Sequence, residues 1–414
     1  MSEWRDCKLG ELLQIKHGYA FLGEHFGNNG THVVLTPGNF LEDGGFNEKS
    51  DKAKWYSGPI PDDYVLKEGD LIVAMTEQAE GLLGSSALVP RSGVYLHNQR
   101  LGLVQILDRE QTDQNFIYYL FNSKPVRQQI RASASGTKIR HTAPSRIAEV
   151  KVSVPPFPVQ RRIAGILSAY DELIENSQRR IRILESMARA LYREWFVHFR
   201  FPGHENLPRV HSSFGEIPLG CEVKAIHHFG KVVTGKTPIK VRPDFYGKDM
   251  PFVKTPDMHG NMFILGTKER LSTMGVNSQI NKILPAGSIC VSCIGTIGVV
   301  SITTEDCQTN QQINSVVLAN SSSREYLFLR LQDAKQALEN LGANGATMGN
   351  VNKSKFEQME IICPPIELLH SYHCLVEPIF SEILSLFRQI QNLGHTRDLL
   401  LPRLLSGQIN FNET

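Results

Sequence analysis

Seven cysteines in 414 residues (Cys7, Cys221, Cys290, Cys293, Cys307, Cys363 and Cys374) are too few and too scattered for a disulfide framework. No basic-then-apolar leader follows Met1, so a reduced, cytoplasmic setting is expected. Neither sign of charge dominates: 44 Lys plus Arg face 42 Asp plus Glu, and the net of +2 offers no gross attraction for nucleic acid. The one long uncharged stretch, residues 283–304, is interrupted by Pro285, Gly287, Gly295 and Gly298. It therefore predicts a strand, a glycine loop and a second strand, not a membrane span. Also absent are the Gly-x-x-x-x-Gly-Lys-Ser/Thr, Gly-x-Gly-x-x-Gly and His-Glu-x-x-His patterns of nucleotide and zinc sites. Cys290 and Cys293 have a metal-like spacing, but no second pair completes four ligands, which makes them buried small hydrophobes and leaves no metal site expected.

What is present is a globular composition, 41% hydrophobic and 21% charged, in a chain long enough for two to four domains. The chain also repeats itself. At an offset of 209, Gly136 falls on Gly345, Val152 on Ile361, Pro155-Pro156 on Pro364-Pro365 and Arg179 on Arg388. Further back, Gly81-Leu-Leu-Gly84 matches Gly295-Thr-Ile-Gly298, and Asn98-Gln99 matches Asn310-Gln311. Each half is a mixed α/β unit followed by a helical segment.

Those helical segments carry a 4-3-4-3 seam. The first runs Ile163, Leu167, Tyr170, Ile174, Ser177, Ile181, Leu184, Ala188, Leu191, Trp195; the second runs Tyr372, Val376, Ile379, Ile383, Leu386, Ile390, Leu393, Arg397, Leu400, Leu404. Only Ser177 and Arg397 are not apolar. A repeat of 3.5 residues implies coiled-coil packing, and two such helices separated by a globular unit pair economically as an antiparallel coiled coil. The expected fold is thus two α/β (α+β) heads with pseudo-two-fold internal duplication, separated by the two long helices. The expected divisions are head 1–157, helix 158–202, head 203–366 and helix 367–414. Gly394 should weaken the second helix locally. Trp195, Phe196, Phe199 and Phe201 fit either a protein-binding surface or a cap on the coiled coil.

Charge becomes informative once divided. Residues 124–151 hold Lys124, Arg127, Arg131, Lys138, Arg140, Arg146 and Lys151 against Glu149 alone; residues 231–254 hold Lys231, Lys236, Lys240, Arg242, Lys248 and Lys254 against Asp244 and Asp249. Such islands, with Gly, Thr and His nearby, suit phosphate neutralisation and close approach to a backbone. Solvated surface is the bland alternative. Val154-Pro155-Pro156-Phe157 resembles the Asn/Asp-Pro-Pro-Tyr/Phe loop of amino-group DNA methyltransferases, but Val154 and its counterpart Cys363 cannot accept a hydrogen bond from a target amine. A stand-alone adenine methyltransferase and a coiled-coil scaffold with no DNA role are the competing alternatives.

Over nearly its whole length the chain resembles the specificity subunit of type I restriction-modification systems. The carriers are Gln160-Arg-Arg-Ile-Ala-Gly-Ile-Leu-Ser-Ala-Tyr-Asp-Glu-Leu-Ile-Glu-Asn176 after Pro155-Pro156, Leu191 to Val197, and Leu399-Leu-Leu-Pro-Arg-Leu-Leu-Ser-Gly-Gln408. Weaker matches are Leu9-Gly-Glu11, Thr36-Pro-Gly-Asn39 and Phe229 to Pro238. The resemblance implies two target recognition domains that read the halves of a split double-stranded DNA sequence, with helices that fix their spacing and dock two methyltransferase subunits. S-adenosylmethionine would sit on those partners, restriction/translocase subunits would join the complex, and this chain would hold no cofactor and catalyse nothing. Expected DNA contacts are Lys138, Arg140 and His141 in the first head and Lys236, Thr237 and Lys254 in the second. Expected partner contacts are Gln160, Arg161, Arg162, Asp171 and Glu172. At Glu367-Leu-Leu-His370 the chain departs from the Gln-containing start of the family's helix. Weak overall charge implies that the isolated chain grips DNA poorly until the methyltransferase subunits join it.

Overall fold

A computed structural model describes residues 4–48, 53–77, 81–136, 139–239, 241–343 and 349–409. In chain order the elements used below are β1 (Arg5–Lys8), β2 (Leu13–His17), β3 (His32–Val34), β4 (Leu71–Ala74), β5 (Thr76–Glu77), β6 (Ser86–Leu88), β7 (Tyr95–Leu96), β8 (Leu101–Ile106), α1 (Gln114–Phe121), α2 (Lys124–Ala132), β9 (Arg140–His141), β10 (Lys151–Val154) and α3 (Phe157–Tyr192). They continue with β11 (Glu222–Ala225), β12 (Gly230–Thr234), β13 (Tyr246–Val253), β14 (Ile289–Ser292), β15 (Val300–Thr303), β16 (Gln308–Thr309), β17 (Ile313–Leu318), α4 (Arg324–Asp333), β18 (Glu360–Cys363) and α5 (Ile366–Leu405). The chain divides into two compact units, Met1–Ile174 with Asn392–Thr414, and Glu175–Gln391. Each unit therefore holds one head together with a segment of both long helices.

In the first unit the main sheet runs β2-β8-β4-β6, all antiparallel. The run Leu71-Ile-Val-Ala74 is buried on both faces because the period of two sends Leu71 and Val73 to a core with Phe116, Ile117, Val126 and Ile130 of α1 and α2. Ile72 and Ala74 face the other way, onto Val33, Leu35, Phe40 and Tyr95. Asp113 caps α1 by accepting from Phe116 N at 2.8 Å, and Pro125 opens α2, so two short helices follow one another here.

In the second unit the same order returns as β12-β17-β14-β15, extended by a strand at Phe263–Ile264. The correspondence is close in the smaller pairings too. β1 pairs antiparallel with β10 as β11 does with β18, and β3 lies parallel to β7 as β13 does to β16. The uncharged stretch resolves into β14, a loop with Gly295 and Gly298 at positive φ, and β15. Cys290 and Cys293 are buried as small core residues, where burial pushes their thiols up to about 12 and about 11. Among the described residues no group of His, Cys, Asp and Glu could hold a metal, and no helix is long and apolar enough to cross a membrane.

Within each unit the segments of α3 and α5 run antiparallel. In the first, Asp171 meets Arg397 while Ile163 and Leu167 share a core with Leu404. In the second, Arg180 meets Glu382 and Ala188 O accepts from the Tyr372 hydroxyl at 3.5 Å. Ile163, Leu167, Ser177, Ile181, Ala188, Trp195, Tyr372, Val376, Ile383, Leu386 and Leu404 are buried, as the seam requires. The helix bounds differ from the expected ones at both ends of each helix, with α3 starting at Phe157. α3 gives way to a π turn at Arg193–Val197 and stops short of residue 202, α5 starts at Ile366, and it ends at Leu405. α5 runs continuously through Gly394, and a local weakening there is compatible with that. The aromatic group resolves in favour of the cap: Trp195, Phe196 and Phe201 are buried with Tyr326 and Tyr372 inside the second unit.

Candidate nucleic-acid interface

In the first head β2 ends, β8 begins and β4 ends at one edge of the sheet, and the chain segments beyond them are laced together through backbone groups. Tyr19 N donates to His97 O at 2.9 Å and Gln99 N donates to Tyr19 O at 3.0 Å. Met75 N donates to Arg100 O at 3.0 Å, and Thr142 N donates to Met75 O at 2.9 Å. The last bond brings β9 to this edge, where it pairs with β5 in the register Arg140↔Glu77 and His141↔Thr76. His141 and Ser135 also exchange N–H···O bonds of 2.8 and 2.9 Å.

The second head repeats three of these bonds. Lys236 N donates to Thr309 O at 2.9 Å, Cys293 N to Gln312 O at 2.7 Å, and Val351 N to Cys293 O at 2.9 Å. Each head also repeats one tight turn. Asn98 Oδ1 accepts from Arg100 N at 3.0 Å as Asn310 Oδ1 accepts from Gln312 N at 3.2 Å. Asn98 O accepts from Leu101 N at 2.9 Å as Asn310 O accepts from Ile313 N at 3.2 Å. A glycine backs each turn so closely that a Cβ would lie 2.0 Å from Asn98 O at Gly18 and 2.2 Å from Asn310 O at Gly235.

The sequence-predicted DNA residues converge on these two edges from different loops. Arg140 and His141 are exposed on β9, with His141 Nδ1 3.2 Å from the Thr76 hydroxyl; Lys138 lies outside the described residues. Lys236 is exposed just beyond β12, and Gln279 Nε2 donates to its carbonyl at 2.9 Å. The Thr237 hydroxyl donates to Gln311 Oε1. Lys254 follows β13, whose Val253 O accepts from Asn310 N at 3.1 Å, so it stands beside the same turn. Its ammonium is already paired with Glu269 and lies over the Phe252 ring, which makes it a neutralised cation and not the unopposed one that local charge counting implied.

The basic islands shrink in the same way. Arg127 points inward and donates to Leu83 O, Glu42 O and Gly81 O, clamping a loop instead of facing solvent. Arg146 Nη1 donates to Ser133 O at 3.1 Å. Glu77, buried beside this loop, accepts from Gly81 N and Leu83 N at 3.2 and 2.9 Å.

Of the expected partner residues, Arg161, Arg162 and Glu172 are exposed on α3. Gln160 is not: only 2% exposed, it accepts from Asp113 N and donates to Gln111 O and Pro155 O, each at about 3 Å, so its amide joins the helix start to the head and gives a partner nothing to touch. Asp171 is half-buried and occupied by Arg397 and Tyr119. Val154, the residue whose polarity the methyltransferase alternative requires, is a buried member of β10 paired with Arg5.

Two like heads, each with a backbone-framed loop edge and each continuing into a long seam-forming helix, define a duplicated recognition protein. The chain belongs to the type I restriction-modification DNA specificity domain family, whose model matches residues 1–186 and again 218–368. It is 33% identical over 337 residues to the type I restriction enzyme HindI specificity subunit of Haemophilus influenzae, covering 68% of this chain and 73% of that one. It is 26% identical over 318 residues to the MjaIX specificity subunit of Methanocaldococcus jannaschii, covering 75% and 73%. The S subunit of a type I system from M. genitalium has the same fold, with a TM-score of 0.64 at 13% identity over 98% of this chain and 96% of that one.

Proposed function

We propose that the chain is the sequence-reading subunit of a type I restriction-modification complex, each head reading one half of a split duplex target. The observation that carries this reading is the repetition in two heads of one loop edge, with three shared main-chain bonds and the same asparagine turn, on a chain with two specificity domains. A duplicated frame with different side chains on it is what reading two different half-sequences requires.

In this reading Arg140, His141, Lys236 and Thr237 touch DNA, and Lys254 contributes by shaping the second edge. The paired helices set the separation of the halves, and Arg161, Arg162 and Glu172 face two methyltransferase subunits. S-adenosylmethionine and the methyl transfer belong to those subunits, restriction/translocase subunits are further partners, and the complex works in the cytoplasm. The chain itself has no catalytic residue.

The test is to express the chain with its methyltransferase subunit in a host lacking other such systems and map methylated adenines across the genome. One bipartite motif with a fixed gap is expected, and four residues inserted after Ser177 should change that gap. A contiguous motif, methylation that does not depend on the chain, or S-adenosylmethionine binding by the chain alone would overturn the reading.

A further inference from the structure

We propose that Gln99 in the first head and Gln311 in the second are base-reading residues, each setting the identity of one base pair in its own half of the target. The inference rests on the DNA-reading function above and names the side chains that perform it.

Both glutamines occupy the same place, directly after the buried asparagine of the duplicated turn, and both are exposed. Neither has to hold the turn. That is done by Asn98 and Asn310, by backbone bonds to the next residues, and by the close glycines behind them. A side chain with no structural duty on a rigid backbone frame is preorganised for contact, because little entropy remains to be lost from the frame on binding.

The surroundings place the amide where a duplex would lie. In the first head Gln99 N bonds to Tyr19 O, and Arg100 O bonds to Met75 N, whose own carbonyl leads to the β9 strand of Arg140 and His141. In the second head the neighbours are Lys236 and Thr237. Cations flanking an amide are the usual division of labour, with phosphates fixing the register and the amide reading a base edge.

The amide chemistry favours adenine. Its carbonyl accepts from the N6 amino group while its NH2 donates to N7, a bidentate match that no other base edge offers in the major groove. In the second head the Thr237 hydroxyl donates to Gln311 Oε1, which fixes the amide's orientation and leaves a second lone pair on the oxygen and both N–H donors for the base.

The experiment uses the full chain assembled with its methyltransferase subunits and a panel of duplexes in which each base pair of the mapped target is changed in turn. Gln99→Ala should flatten discrimination at one position of one half by roughly ten-fold or more, and Gln311→Ala should do the same at one position of the other half. Gln99→Glu should shift the preference at its position toward cytosine, whose N4 amino group a carboxylate accepts. Melting temperatures equal to the parent's would show that the frame is intact. Panels that superimpose on the parent's, or losses spread evenly over all positions, overturn the inference while leaving the function above in place. A parent complex that discriminates at no position overturns the function itself.

Discussion

Arg397 Nη1 donates to Asp171 Oδ1 at 2.5 Å, and Asp171 Oδ2 accepts from the Tyr119 hydroxyl at 2.6 Å, so one of the two polar seam positions ties α5 to α3 and, through α1, to the first head. Burial, reinforced by the Asp171 charge, raises the Tyr119 phenol well above its usual range, which keeps it a donor at any physiological pH.

With the two side chains of this pair 27% and 30% exposed, solvent screening removes little of its strength. Arg397→Ala leaves the carboxylate with the tyrosine alone and should lower the stability of the first unit by about 2 kcal/mol. Urea unfolding followed by tryptophan fluorescence would read this as an earlier midpoint. The pair Asp171→Leu with Arg397→Leu should lose less than the two single changes added together.

Gly18→Ala and Gly235→Ala each drive a Cβ into a backbone oxygen that cannot yield, at 2.0 and 2.2 Å. Each should cost more than about 2 kcal/mol in its own unit. In the assembled complex each should blunt selectivity for one half of the target and spare the other, which a base-substitution panel would resolve.

Acid should act on the first head through His97. The ring is fully buried, Nε2 lies 3.0 Å from Leu101 O, and burial lowers its pKa from 6.5 to about 4. The folded state thus binds fewer protons than the unfolded one between those values, so stability falls as pH drops from 6.5 towards 4. At pH 5 the loss is about 2 kcal/mol, from roughly 1.4 kcal/mol for each of the pH units below 6.5. Melting curves at pH 7.5 and 5 would show it, and His97→Gln should remove most of the difference.

The cations separate into two kinds that salt titration distinguishes. Arg140→Ala should reduce the slope of log affinity against log salt by about 1 in the assembled complex. Arg127→Ala should leave that slope unchanged and instead lower the melting temperature, because its guanidinium holds the carbonyls of Glu42, Gly81 and Leu83. Equal slopes for parent and Arg140→Ala would remove that residue from the interface.

The seam was legible in the sequence because a 3.5-residue repeat is a local signal, and the duplication because Pro155-Pro156 and Pro364-Pro365 stand at one offset. The recognition edge was not legible, since Tyr19, Gln99 and Arg140 reach it through strand pairings between distant parts of the chain. Asn98-Gln99 and Asn310-Gln311 were visible as a repeat, but nothing local says that the asparagine turns inward and the glutamine outward. Lys254 misled for the same reason: Glu269, which pairs with it, belongs to a different strand. Gln160 sits in a helix-start motif whose amide looks the same in sequence whether it greets a partner or, as here, fastens the helix to its head.

At both loop edges most of the bonds that hold the frame run between main-chain atoms, and an asparagine and a close glycine recur in each turn. Exchanging the exposed residues at 99, 140 or 236 therefore alters what the edge presents while leaving those main-chain bonds in place. Such a chain can drift from one target to another by single codon changes, and its two halves can do so independently.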